Sequence, residues 1–465
     1  MILDNFRRSG TPAPPPPGPA RRTPAGPGRA QTPLILARMA RNRLEVMTSF
    51  AARYGDAVRL PLGPKPLYFF NHPDHAKHVL ADNAANYHKG IGLVQARRAL
   101  GDGLLTSEGQ IWRRQRRTIQ PVFQAKRLAR QADAVIAEAA AMVDRLRVQV
   151  GAGPVDVRQE MTALSLGVLG RTLLDSDLSG YESLGGSFET VQDHAMFEVM
   201  TLGAIPPWLP LPGQLRFRAA RRELLDVVAK LLAGHTPGAG AGGDVLSRLM
   251  DSLATDPDPA GGRQRMSDEL ITLLLAGHET TASTLSWAYF LIDLHPEVGH
   301  RLHAEAMSVL GDRTPAYKDL HRLTYTSMVV EEVMRLYPAV WLLSRRAQQD
   351  DDVNGYHVPA GTDVLICPYA MHRHPGLWFA PDRFDPERFG PERAWPPYAY
   401  IPFGGGPRFC VGNHLGMMEA VFTLALTARE LRLVIAPGYR VIPEPMLSLR
   451  IRGGLPMTVH PAAHA

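Results

Sequence analysis

Apolar positions recur at three- and four-residue intervals through most of the chain, the spacing that lines one face of a helix. The pattern predicts helices over residues 125–146, 157–174 and 215–233. A longer one is predicted from Ser267, as N-cap, to Leu294, just before His295-Pro296. Asp268 and Glu269 would then occupy its first turn, where the helix dipole favours negative charge. Such a helix would be about 42 Å long, enough to cross the whole molecule. Two more follow at 297–310 and 325–336, the second closed by Pro338. Alternating or continuous short apolar runs predict strands at 56–62 and 66–71 about a Gly63-Pro64 turn, and at 363–367 after Pro359-Ala360-Gly361. Asn354-Gly355 marks a tight hairpin. Residues 235–243 and 255–262 read as loops. The chain is thus mainly α with a small β-rich part, and it carries no internal repeat.

Charge and composition narrow the function classes. The chain has 465 residues, 45% hydrophobic and 21% charged, with a net charge of +6. All of the excess lies in residues 1–43, which hold eight Arg and one Asp, and the rest of the chain is slightly acidic. A basic tail on a near-neutral body is not the charged face of a nucleic-acid binder, and no aromatic residue interleaves those arginines. Pro14–Pro17 and the surrounding Arg, Pro and Ala predict a solvated tail over residues 1–33, without the apolar core of a secretory signal. The most apolar stretch, 270–294, is interrupted by His278, Glu279 and Asp293, so no membrane span is expected. Two cysteines, Cys367 and Cys410, exclude a disulfide framework or a Cys-rich metal site and suit the reducing cytoplasm. His300/His303 and His372/His374 lack the pattern of a zinc hydrolase and are expected to be ordinary surface or core residues.

The most informative segment is Phe403-Gly404-Gly405-Gly406-Pro407-Arg408-Phe409-Cys410-Val411-Gly412. Its glycines would let backbone approach something large and flat. The apolar pattern at 415–426 reads as a helix, so Cys410 would sit at a helix N-terminus, where dipole and free N–H groups favour a thiolate. The stretch resembles the haem-binding loop of the cytochrome P-450 family, Phe-Gly-x-Gly-x-Arg-x-Cys-x-Gly, at every defined position. The resemblance implies a single large P-450 domain over residues 34–465. It also implies haem b (iron protoporphyrin IX) with Cys410 as its axial ligand, a sulfur whose electron push favours O–O cleavage. Backbone N–H groups near Val411 and Gly412 would moderate that push.

Further segments resemble the family in its order. Glu332-Val333-Met334-Arg335 matches the Glu-x-x-Arg helix motif, and Arg388 in Pro386-Glu387-Arg388-Phe389 matches the arginine that joins it, a structural role. Ala276-Gly277-His278-Glu279-Thr280-Thr281 matches the place where the long helix opens beside haem. Ala276 and Gly277 would lie against the cofactor. Thr280 corresponds to the residue that hydrogen-bonds the iron–oxygen species, and Glu279 to the acid of the proton relay. Trp112 and Arg116, one helical turn apart, match a propionate-binding pair. Arg345 and Arg408 match further propionate arginines, with Arg346 an adjacent alternative to Arg345. Phe403 and Gly412 complete the cofactor contacts.

The activity implied is a soluble monooxygenase that hydroxylates or epoxidises an apolar small molecule with dioxygen. Its electrons would come from a separate ferredoxin or flavodoxin with an NAD(P)H-dependent reductase. The expected substrate pocket is Ile91, Leu93, Val94, Met196, Met200, Leu275, Val340, Leu342, Leu343 and Leu447, an aliphatic set that favours a terpenoid, steroid or fatty-acyl skeleton. A basic patch of Arg113, Arg114, Arg117, Lys126, Arg127 and Arg130 would steer the electron donor. The alternatives are a peroxide-using peroxygenase, which has less need of Glu279-Thr280, and a non-catalytic haem sensor.

Overall fold

The computed structural model describes residues 22–62, 67–178, 183–201, 203–234, 245–254, 259–392 and 395–462. The Gly63-Pro64 turn, the loop at 235–243 and the tail up to residue 21 lie outside them, as does the Lys126 side chain. Helices dominate. The longest, Pro259–Leu294, crosses the main apolar core and packs on Val157–Leu169, Thr324–Leu336 and Asn413–Glu430. Helix Ala125–Arg147 lies against Asn413–Glu430, as its apolar stripe requires.

The long helix starts at Pro259, not at Ser267. The Ser267 hydroxyl donates to the Arg263 carbonyl at 3.2 Å, a mid-helix back-bond. Asp268 is buried and accepts from the Asp102 backbone N–H at 3.0 Å and from Gln264 Nε2 at 2.8 Å. The residues that read as a cap instead tie the helix to the 101–103 loop. No opening interrupts this helix at 276–281, contrary to expectation. Thr280 and Thr284 satisfy themselves by donating to the carbonyls of Ala276 and Thr280, at 2.7 and 2.9 Å.

The β-rich part is a five-stranded sheet ordered Ala57–Leu60, Leu67–Phe70, Asp363–Ile366, Leu343–Ala347, Tyr87–Lys89. Leu67–Phe70 runs parallel to Asp363–Ile366, and both are buried throughout. Alternation splits them between two small cores: Leu67, Phe69 and Leu365 on one face, Tyr68, Phe70, Val364 and Ile366 on the other. Asp351–Val353 and Tyr356–Val358 form the expected hairpin, with Asn354 and Gly355 at φ 51° and 85°.

Residues 22–33, read as solvated tail, are docked on this sheet region. Arg22 exchanges hydrogen bonds with Gly355 O (3.0 Å) and His357 N (2.8 Å), Ala25 O accepts from Arg59 N (2.8 Å), and Pro24 and Pro27 are buried. Their prolines suit an edge that lacks donors. Among the described residues no helix is long and apolar enough to cross a membrane, and no group of three or more His, Cys, Asp or Glu could hold a metal ion. His372 is fully buried, and burial holds its pKa at about 3; it accepts from Ile401 N at 2.9 Å, a core residue.

Candidate active site

Cys410 is carried by a loop whose geometry is set by protein contacts. Its backbone N–H donates to Phe403 O at 3.1 Å, and helix Asn413–Glu430 begins just beyond it with Gly412 at the N-cap. Gly406, at φ 63°, lies so close to Leu80 that an added Cβ would sit 1.8 Å from the carbonyl oxygen. A Cβ on Gly405 would press 2.5 Å from the Tyr398 ring. The close approach that these two glycines permit is therefore to the protein itself. Burial raises the Cys410 thiol above its ordinary 9.0, opposed by the N–H of Gly412, the Arg116 guanidinium and the N–H of Asn413. The N–H groups that favour the thiolate are thus those of Gly412, as expected near this position, and Asn413. Without another positive centre, burial outweighs the helix terminus.

The side chain of Cys410 lies deep in the fold and is nevertheless accessible, as is Ala276 midway along the helix that crosses the core. The two helices pass at Gly416, where an added Cβ would lie 3.6 Å from Thr281 Oγ1. Gly277 has no such freedom, because a Cβ there would meet Leu169 at 2.6 Å. Glu279 accepts from Ser448 Oγ at 2.7 Å. His278 is buried against the Phe188 ring, and Thr281 is buried as well.

Positive charge collects beside the loop. Arg408 pairs with Glu108, donates to Ser107 O at 3.0 Å, and lies with Cζ 3.9 Å from the Trp112 ring centroid. Arg116 donates to Phe409 O at 2.7 Å. Arg345 is buried, and among the described residues its side chain's one hydrogen bond is to the neighbouring Ser344 carbonyl, at 2.8 Å. Burial takes Arg345 down to about 10, with Glu108 opposing. Arg408 also falls to about 10, by burial and by repulsion from Arg345 and Arg116. Lys89, on strand Tyr87–Lys89 beside Leu343–Ala347, is held well below its usual 10.5 by burial and then by Arg345 and Arg408. Three cationic side chains thus share one carboxylate. Such a surplus in a dry site fits a group with two negative charges, as haem is at its propionates. Arg346 points the other way, as strand alternation demands, and pairs with Asp363 at 3.0 and 2.8 Å. Lys89 and Glu108 carried no local signal; only the sheet and the loop bring them together.

Glu332 and Arg335 are both fully buried and bidentate, at 2.6 and 2.8 Å. Arg388 Nε reaches Glu332 at 3.3 Å. Arg335 also donates to the carbonyls of His372, Pro381 and Arg383, at 2.8, 2.6 and 3.0 Å, fastening helix Thr324–Leu336 to the segment that leads into the cysteine loop.

The expected pocket residues are spread unevenly. Ile91, Leu93, Val340, Leu342, Leu343 and Leu447 are partly buried, Val94 is exposed, and Met196 is buried. Leu275 belongs to the main core, since one step round the helix from Ala276 turns it into packed protein. Met200 ends helix Leu184–Met200 half-exposed, its sulfur 3.6 Å from Arg43 Nη2.

A sequence model of the cytochrome P450 family matches residues 24–455. Cyclooctatin synthase of Streptomyces melanosporofaciens is 37% identical over 420 residues, covering 88% of this chain and 90% of that one. Cyclooctat-9-en-7-ol 5-monooxygenase of the same organism is 35% identical over 455 residues, 95% and 96% of the two chains. Pentalenene oxygenase of Streptomyces avermitilis is 32% identical over 410 residues, 87% and 90%. The chain belongs to the cytochrome P450 family and is a haem monooxygenase.

Proposed function

We propose that this enzyme inserts one atom of dioxygen into an apolar cyclic terpenoid, hydroxylating a C–H bond or epoxidising a C=C bond. Support for the substrate class comes from relatives named for pentalenene and cyclooctat-9-en-7-ol, together with the apolar character of the proposed contact residues Ile91, Leu93, Val340, Leu342, Leu343 and Leu447, all partly buried. Such contacts offer no partner to a polar substrate, whose buried groups would go unpaired.

The observation that carries the cofactor reading is the accessible cysteine beside surplus buried positive charge. Cys410 would hold the iron of haem b. Arg345, Arg408, Trp112, Arg116 and Lys89 would hold the propionates. Ala276 would face the ring, with Phe403 and Gly412 on the sulfur side; Gly277, expected there too, has its side-chain position turned onto Leu169. When bound, haem supplies the activation of dioxygen. The chain supplies the rest: a water-excluding apolar wall, the Thr280 hydroxyl, and Glu279 as the acid that passes protons inward, positioned catalysis worth about 10²–10⁴-fold.

Electrons would come from a ferredoxin or flavodoxin with its NAD(P)H-dependent reductase, steered by the exposed Arg113, Arg117 and Arg130. Reduction should slow as salt rises, and reversing the charge at Arg113 and Arg117 should abolish that dependence. Titration with pentalenene, a steroid and a long-chain fatty acid should shift the ferric haem spectrum for the first at micromolar concentration. A response confined to the steroid or the fatty acid would refute the terpenoid assignment.

A further inference from the structure

We infer that Ser448 is a positioning residue for Glu279, holding the acid of the proton route in one orientation from a turn clamped to the long helix. The inference rests on the reading of Glu279 given above. Strands Pro443–Pro445 and Leu449–Ile451 pair antiparallel with Pro445 opposite Leu449, which leaves Met446, Leu447 and Ser448 as the turn. Glu279, Ser283 and Trp287 follow one another at four-residue steps and so share one face of helix Pro259–Leu294. All three engage this hairpin. Ser283 Oγ and Trp287 Nε1 donate to Leu449 O at 2.5 and 2.8 Å, and Ser448 Oγ donates to Glu279 Oε1 at 2.7 Å.

The Ser448 bond is not needed to hold the turn. Leu449 N donates to Ala339 O at 2.9 Å, and Trp341 Nε1 to Met446 O at 2.9 Å, so four other hydrogen bonds fix the same segment. Among the described residues Ser448 is also the one hydrogen-bond donor to the carboxylate. His278 does not substitute: burial lowers its pKa, its Nδ1–H is spent on Leu274 O at 2.6 Å, and Nε2 stands 3.9 Å from Glu279 Oε2, beyond hydrogen-bond distance. A glutamate free of Ser448 would sample several rotamers and present its proton at scattered positions. Leu447, next to Ser448 on the turn, is among the proposed substrate contacts, so an occupied pocket would press on the residue that holds the acid.

The test compares Ser448→Val with Ser448→Thr, near-isosteres that differ in the hydroxyl. In the purified protein the infrared carboxylate band that vanishes in Glu279→Gln should shift in Ser448→Val and stay in place in Ser448→Thr. A second measurement needs no organic substrate. With NADPH, a ferredoxin and its reductase, dioxygen takes up two electrons and two protons to leave as hydrogen peroxide, or four of each to leave as water. The ratio of peroxide to water should rise roughly threefold or more in Ser448→Val and stay within about twofold of wild type in Ser448→Thr. An unmoved band together with an unchanged ratio in Ser448→Val, while Glu279→Gln raises the ratio, would overturn the role of Ser448 and leave that of Glu279 standing. An unchanged ratio in Glu279→Gln would overturn both.

Discussion

Arg345 and Arg346 are adjacent, carry the same charge, and should fail in opposite ways when replaced by Leu. Arg345 is buried with no carboxylate in salt-bridge range among the described residues, and its pKa is lowered from 12.5 to about 10. Keeping it charged therefore costs the haem-free chain about 3 kcal/mol, at 1.36 kcal/mol per pKa unit. Arg345→Leu should leave the melting temperature of the haem-free protein unchanged or raise it. It should also speed haem loss, because a buried charge-assisted pair with a propionate would be gone, about 1.5–3 kcal/mol or 10- to 100-fold. Arg346→Leu strips the two hydrogen bonds from Asp363, which is buried and, among the described residues, otherwise accepts only from Ile91 N at 2.9 Å. It should lower the melting temperature by a few degrees, from a loss of about 2–3 kcal/mol, with haem loss close to wild type. Transfer of haem to apomyoglobin gives the loss rate, and differential scanning fluorimetry of haem-free protein gives the stability. Wild-type haem retention in Arg345→Leu, combined with a lowered melting temperature, would refute the assignment.

Three further outcomes are expected. Cys410→Ala should abolish the red-shifted Soret band of the reduced CO complex. Cys367→Ala should keep it, since Cys367 is fully buried with its thiol pushed up to about 12; the reverse result would move the ligand. Thr280→Ala should hold haem normally yet release several-fold more hydrogen peroxide per NADPH, with Thr281→Ala milder because that side chain is buried; equal coupling in wild type and Thr280→Ala would make the hydroxyl structural. Glu419 is buried, hydrogen-bonded by Ser165 Oγ at 2.6 Å, and raised from 4.5 to about 8 by burial. The folded state then binds a proton that the unfolded state releases, so stability falls as pH rises from about 4.5 to 8. Glu419→Gln should flatten that slope in urea melts, and an unchanged slope would contradict the raised pKa.

The sequence by itself determined what is local and contiguous. Helices such as 125–146 and 325–336 follow from apolar spacing, the Asn354-Gly355 hairpin from a turn dipeptide that tolerates positive φ at both residues, and the cysteine loop from a pattern within ten residues. The resemblance pointed to Glu332 and Arg335 because they lie one helical turn apart. Tertiary structure decided everything that depends on partners distant in the chain. Ser267, Asp268 and Glu269 satisfy every local rule for a helix start, yet the helix runs through them because Asp268 is drawn to the Asp102 backbone. The prolines at 24 and 27 read as solvated until an edge is supplied for them to cover. Arg345 and Arg346 could be separated only once strand Leu343–Ala347 had neighbours, which give Arg346 the Asp363 carboxylate and leave Arg345 buried without one among the described residues. Lys89, Glu108 and Ser448 carry no motif. They reach the site because a sheet, a loop and a hairpin turn bring charges and hydroxyls together across hundreds of residues, and sequence spacing holds no record of that distance.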